Sequence, residues 1–116
     1  MQPKILLRIE GGVALVAALI LYAYAGGSWL IFALLILAPD LSALGYLASA
    51  RVGSYSYNIV HTYLLPAGLA FYGFLGSNPL ALQLALIWVA HIGADRLLGF
   101  GLKYPTAFKD THLDRV

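Results

Sequence analysis

Residues 80–100 read LALQLALIWVAHIGADRLLGF. This run is long and apolar enough to cross a bilayer as a helix, which takes about 20 residues. Its C-terminal half nevertheless carries His91, Asp95 and Arg96. His91 and Asp95 are four residues apart, so a helix projects them from one face. A charge at bilayer depth costs at least about 3 kcal/mol, and figures above ~10 are defended. Such residues persist only where they pair, bind something or line a wet cavity.

Three more runs of the same kind precede it: Ile5–Ala25, Trp29–Ala50 and Tyr55–Leu75. The expected connections are Gly26-Gly27-Ser28, Arg51-Val52-Gly53-Ser54 and Gly76-Ser77-Asn78-Pro79. All are short and turn-like, which sets neighbouring helices antiparallel. The expectation is an all-α integral membrane four-helix bundle over residues 1–102, with both termini on one side and a polar cytoplasmic tail at 103–116. Gly99-Phe100-Gly101 marks the end of the fourth helix. The first run is too long for a cleavable signal and is read as a retained helix.

The bulk composition agrees. Of 116 residues, 61% are hydrophobic and 10% charged, against roughly 25% charged in soluble domains. Cysteine is absent, which rules out disulfides and thiolate metal sites. The net charge is only +2 and no basic cluster has interleaved aromatics, so nucleic acid is excluded as a partner. All seven Lys and Arg fall at ends or loops on one side: Lys4, Arg8, Arg51, Arg96, Lys103, Lys109 and Arg115. The positive-inside rule then places both termini in the cytoplasm, with Trp29 at the outer interface and Tyr55, Tyr57 and Tyr104 at the inner one.

Depth gathers the polar groups together. At about 1.5 Å of rise per residue, His61 lies roughly 9 Å from the inner end of the third span and Asp40 roughly 15 Å from that of the second. Asp95 and His91 lie in the inner half of the fourth, and Glu10 near the inner end of the first. Pro39 removes a backbone hydrogen bond and frees a carbonyl near Asp40. Gly45, Gly68, Gly93, Gly99 and Gly101 permit close helix approach. Two imidazoles and two carboxylates, His61, His91, Asp40 and Asp95, suit Zn, Mn or Fe(II) with room for water. The competing reading is a buried polar network that fixes helix register. Glu10 is the candidate general base, or else a solvated partner of Arg8. Asn58, Arg96 and Ser42 are the candidate supporting residues. For His112 in the tail, a membrane-surface lid and a disordered end are both open, the second being favoured.

Ala38-Pro39-Asp40-Leu41-Ser42, Tyr57-Asn58-Ile59-Val60-His61-Thr62, His91-Ile92-Gly93-Ala94-Asp95-Arg96, and Gly101-Leu102-Lys103-Tyr104-Pro105 with Thr111-His112-Leu113 form a specific set. In these strings the chain resembles the domain-of-unknown-function family 4260, small bacterial integral membrane proteins. It also resembles, more weakly, the bacterial inner-membrane metal-dependent hydrolases, through Pro39-Asp40, His61 with Arg51 upstream, His91 and Asp95, and Tyr104-Pro105. That second resemblance implies Asp40, His61, His91 and Asp95 as metal ligands. The chain departs from it at Ser42, where an acid is expected, and near Glu10, where the hydrolases carry a histidine. The expected function is metal-dependent hydrolysis of a lipid-like or interfacial substrate in a bacterial cytoplasmic membrane. A proton or metal transporter and a structural, partner-binding or homo-oligomeric subunit are the rival classes.

Overall fold

The computed structural model describes residues 2–103 and 111–115. Helix α1 spans Pro3–Tyr24 and begins with proline, whose missing N–H is no loss in a first turn. Helix α2, Trp29–Leu35, is capped by the Ser28 hydroxyl, which accepts from the Ile31 N–H. A 3₁₀ helix, Ala38–Leu47, continues it after an interruption at Ile36-Leu37. Helix α3 spans Ala50–Val60 and α4 Leu64–Leu75, parted at His61-Thr62-Tyr63. Helix α5, Pro79–Leu98, is capped by Asn78 and ends on Gly99, whose φ of 98° suits glycine. A single turn, α6, covers His112–Arg115.

The fold is all-α, and three segments are long and apolar enough to span a membrane: Pro3–Tyr24, Trp29–Leu47 and Pro79–Leu98. The third expected span differs. Tyr55–Leu75 is not one helix, and Arg51–Ser54, expected as a loop, is the first part of α3. The Ser49 hydroxyl takes the Val52 N–H at 3.0 Å and starts α3 earlier. No strand occurs among the described residues, only an antiparallel bridge between Lys103 and Thr111.

Helix α5 is the axis, with α1 and α4 against it, while α3 lies on the 3₁₀ helix. Gly11 of α1 and Gly93 of α5 let the two backbones touch: a Cβ on Gly93 would lie 2.6 Å from the Gly11 carbonyl. Arg8 Nε donates to the Leu97 carbonyl at 2.9 Å and ties α1 to the end of α5. Gly68, expected at a close approach, faces open space. At the other end Tyr22 is buried edge-on to Trp29 and Phe32, its hydroxyl donating to the Ser28 carbonyl at 2.6 Å. Val13, Val16 and Ile20 of α1, Leu30 and Leu34 of α2, and Phe71, Phe74 and Leu75 of α4 are all exposed. An apolar surface of that extent suits lipid.

The described part of the tail is docked, not disordered. Leu113 is fully buried, and Asn58 brackets Lys103 with two hydrogen bonds of 2.6 and 2.7 Å to its backbone. Tyr104, Pro105 and Lys109, singled out in the sequence, lie outside the described residues.

Candidate metal centre

Both breaks in the spans fall where the chemistry is. After Pro39 the Asp40 N–H turns to the Leu37 carbonyl, three residues back. The Ile36 carbonyl, which a continuous α-helix would have bonded to Asp40, instead receives His91 Nδ1. At the other break His61 caps α3, and its own Nδ1 meets the Tyr57 carbonyl at 2.9 Å. A carbonyl only accepts, so both ring protons belong on Nδ1, and both Nε2 atoms are left with a lone pair.

Those lone pairs face one another and two carboxylates. His61 Nε2 and His91 Nε2 are 3.1 Å apart. Asp40 Oδ1 lies 3.2 Å from the first and 3.1 Å from the second. Asp95 Oδ2 lies 3.5 and 3.2 Å from them. Each of the four residues offers one ligand atom, and those atoms all lie within 4.8 Å of one another. Ligand atoms about 2.0–2.1 Å from a tetrahedral ion are separated from each other by about 3.3 Å. The five separations that involve a histidine nitrogen, 3.1 to 3.5 Å, bracket that value, and the sixth, between the two carboxylates, lies within 4.8 Å. Two carboxylates and two neutral imidazoles also cancel the charge of one divalent ion, as a bilayer interior demands. The residues therefore fit a metal ion.

The fold brings together all four residues that the sequence groups by depth. Both histidines are buried, whereas the Asp40 side chain is 49% exposed and opens the group to a cavity. That cavity, about 290 Å³, is lined by Asp40, Ala43, Tyr57, Asp95, Phe100 and Lys103.

A family model described as Domain of unknown function (DUF4260) matches residues 4–116. The chain belongs to this family. No curated protein and no solved structure matches it. All four ligand candidates of this DUF4260 member fall inside the matched span. The family description names no activity, so the chemistry has to be argued from the residues.

The supporting residues differ from those expected. Arg96 NH2 donates to the His61 carbonyl at 2.9 Å, holding a ligand's backbone and not its ring. Asn58 positions Lys103. Ser42 donates to the Pro39 carbonyl at 2.8 Å and so steadies the 3₁₀ turn that carries Asp40. Glu10 is not brought to the centre: it lines a different cavity, with Arg96 and His112, to which none of the four ligands belongs. Two contributors were missed. Tyr57, expected at the inner interface, is buried, stacks on His61 at 3.7 Å between ring centroids and carries the Lys103 ammonium over its ring, 4.8 Å from the centroid. Trp88 Nε1 donates to the Val60 carbonyl at 2.6 Å. With Arg96 it satisfies the carbonyls that the break after α3 leaves open. A Trp and an Arg eight residues apart on α5 were the available signal, since buried indole N–H groups need acceptors.

His112, outside the spans, accepts the Leu102 N–H on Nδ1 at 2.7 Å, which leaves its ring proton on Nε2, 3.2 Å from Arg96 NH1. Burial, reinforced by the Arg96 charge, holds its pKa below the ordinary histidine value.

Proposed function

We propose that this is a membrane-embedded metalloprotein in which Asp40, His61, His91 and Asp95 hold one divalent transition ion, and that it hydrolyses an ester or phosphoester of a lipid-like substrate. One observation carries the metal reading: four lone pairs converge at 3.1–3.5 Å with both imidazole protons directed elsewhere. Without a cation, those contacts set acceptor against acceptor in a largely buried place. The two-nitrogen, two-oxygen donor set suits Zn, Mn or Fe(II). The ion would supply Lewis acidity towards an oxygen entering the centre.

The protein's own part is access, orientation and proton handling. The cavity beside Asp40 and Asp95 admits the substrate, and Phe100 and Ala43 give it an apolar wall. In hydrolysis the oxygen of water bonds to the acyl carbon or phosphorus and the bond to the leaving oxygen breaks. One proton of the water ends on that leaving oxygen. The carboxylate oxygens of Asp40 and Asp95 turned away from the histidines are the proton acceptors in this lining. The exposed apolar helices support a substrate arriving from the bilayer. The one-sided Lys and Arg distribution supports a cytoplasmic centre in a bacterial inner membrane, with both termini cytoplasmic.

Elemental analysis of protein purified without chelators tests the metal reading. About one ion per chain is expected, and His91→Ala should lose most of it. Wild-type protein that is folded and metal-free would overturn the reading. Product release from ester and phosphoester lipids in mixed micelles, abolished in Asp95→Asn, tests the hydrolase.

A further inference from the structure

A second polar cavity, independent of the metal reading, lies where α1 meets the break between α3 and α4. It has a volume of about 330 Å³, and Glu10, Thr62, Tyr63, Arg96 and His112 line it together with apolar residues of α1. Ligand pockets begin at about 300 Å³. Arg96 NH2 donates to the His61 carbonyl, and NH1 lies 3.2 Å from His112 Nε2. A guanidinium has five N–H groups, so three take part in neither contact. Glu10 makes no ion pair among the described residues. A half-buried cation and an exposed anion thus line one open cavity at the protein surface without closing on each other.

We infer that this cavity binds a phosphate joined to a primary ammonium, the head group of an ethanolamine phospholipid, with the phosphate on Arg96 and the ammonium on Glu10. Arginine is suited to phosphate because its planar fork meets two oxygens at once. The Thr62 and Tyr63 hydroxyls add donors beside it. A simple anion would leave the Glu10 carboxylate unmatched, and a simple cation would leave Arg96 unmatched. A zwitterion answers both and keeps the cavity neutral. The lipid source is favoured by position. Leu7, Gly11 and Ala14 form the α1 wall of the cavity, and Leu6, Ile9 and Val13 of the same helix are exposed to the bilayer beside it. Glu10 and Arg96 both lie towards the helix ends that carry the basic residues.

Native mass spectrometry of the full chain tests this. Delipidated protein is offered equal amounts of phosphatidylethanolamine, phosphatidylcholine and phosphatidylglycerol. The trimethylated head group has no N–H for Glu10, and the glycerol head group has no cation. Retention of the ethanolamine lipid should exceed both by about tenfold, the worth of one charge-assisted hydrogen bond. Glu10→Gln, which keeps the side chain's shape, should erase that preference while keeping the wild-type thermal midpoint, which shows that it is folded. Equal retention of the three lipids by wild-type protein, or an unchanged preference in folded Glu10→Gln, would overturn the assignment. Soluble phosphoethanolamine is the remaining arm. Displacement of the lipid by an equal concentration would identify a free metabolite as the source of this chemistry, and retention of the lipid identifies the membrane.

Discussion

His61 Nε2 and His91 Nε2 stand 3.1 Å apart; the His91 ring is aimed there by the Ile36 carbonyl that the interruption at Pro39 has released, and the His61 ring by the Tyr57 carbonyl, which also takes the His61 N–H in the last turn of α3. The Ile36 carbonyl is open because Pro39 diverts the chain into a 3₁₀ helix, and the geometry at His61 exists because α3 stops there. Long 3₁₀ runs are uncommon and often mark functional strain. Non-helical backbone inside a bilayer is tolerated only where protein or a wet cavity satisfies it. The centre and the two broken helices are therefore one device.

Pro39→Ala tests that coupling. Alanine restores an N–H at position 39 and removes the ring that opposes a continuous α-helix, so α2 can extend and re-engage the Ile36 carbonyl. His91 then loses the acceptor that fixes its tautomer. Loss of a partner behind a ligand costs about 10–100-fold in metal affinity. Competition against a chromogenic chelator measures it. An affinity equal to wild type would separate the helix break from the metal centre.

Trp88→Phe addresses the other break. It removes the donor to the Val60 carbonyl while retaining the aromatic body. An orphaned carbonyl in an apolar place costs about 1–3 kcal/mol. The thermal midpoint should fall while metal stoichiometry holds. An unchanged midpoint would mean that water or a rearranged neighbour serves Val60.

How far the sequence could be read depended on whether the cause was local. Gly26-Gly27-Ser28 and Gly76-Ser77-Asn78-Pro79 are turns by their own chemistry, and Ser28 and Asn78 cap the next helices as side chains of their kind do. Common depth and i, i+4 spacing were enough to group Asp40, His61, His91 and Asp95. The break at His61–Tyr63 was only half legible: Pro66 has no N–H for the Thr62 carbonyl and by itself signals a kink. What lets the kink open into a full break is on α5, where Trp88 and Arg96 supply donors to the Val60 and His61 carbonyls from some 30 residues along the chain. Glu10 was misplaced for the same reason. Depth alone put it level with the centre, but depth says nothing of azimuth around the bundle, and α1 turns it into the Arg96–His112 cavity.

Topology gives a third prediction. The chain has no cysteine, so single cysteines report without background. Ser28, Ser77 and Arg51 are all exposed. Impermeant maleimide added outside intact cells should label Ser28→Cys and Ser77→Cys and spare Arg51→Cys. Labelling of Arg51→Cys from outside would invert the membrane orientation and put both basic termini on the wrong side of the positive-inside rule.

His112 should make stability depend on pH in the mildly acidic range. Its neutral ring accepts from the Leu102 N–H, and protonation would place a donor against that donor and a second charge beside Arg96. The folded pKa is accordingly below the ordinary 6.5. The sign follows: between the folded pKa and about 6.5 the unfolded chain binds the proton that the folded chain refuses. Stability from this group is thus complete above about pH 6.5 and declines as the pH falls through that value towards the folded pKa. His61 and His91 titrate too, so the measurement is a difference. Thermal midpoints of wild type and His112→Gln are compared from about pH 7.5 down to about pH 5. Glutamine keeps an acceptor for Leu102 and carries no titrating proton. The wild-type curve should fall more steeply than the variant's below about pH 6.5. Parallel curves would show that residues 111–115 are not held against Arg96 and Leu102 in the folded protein, and would remove His112 from the wall of the proposed head-group site.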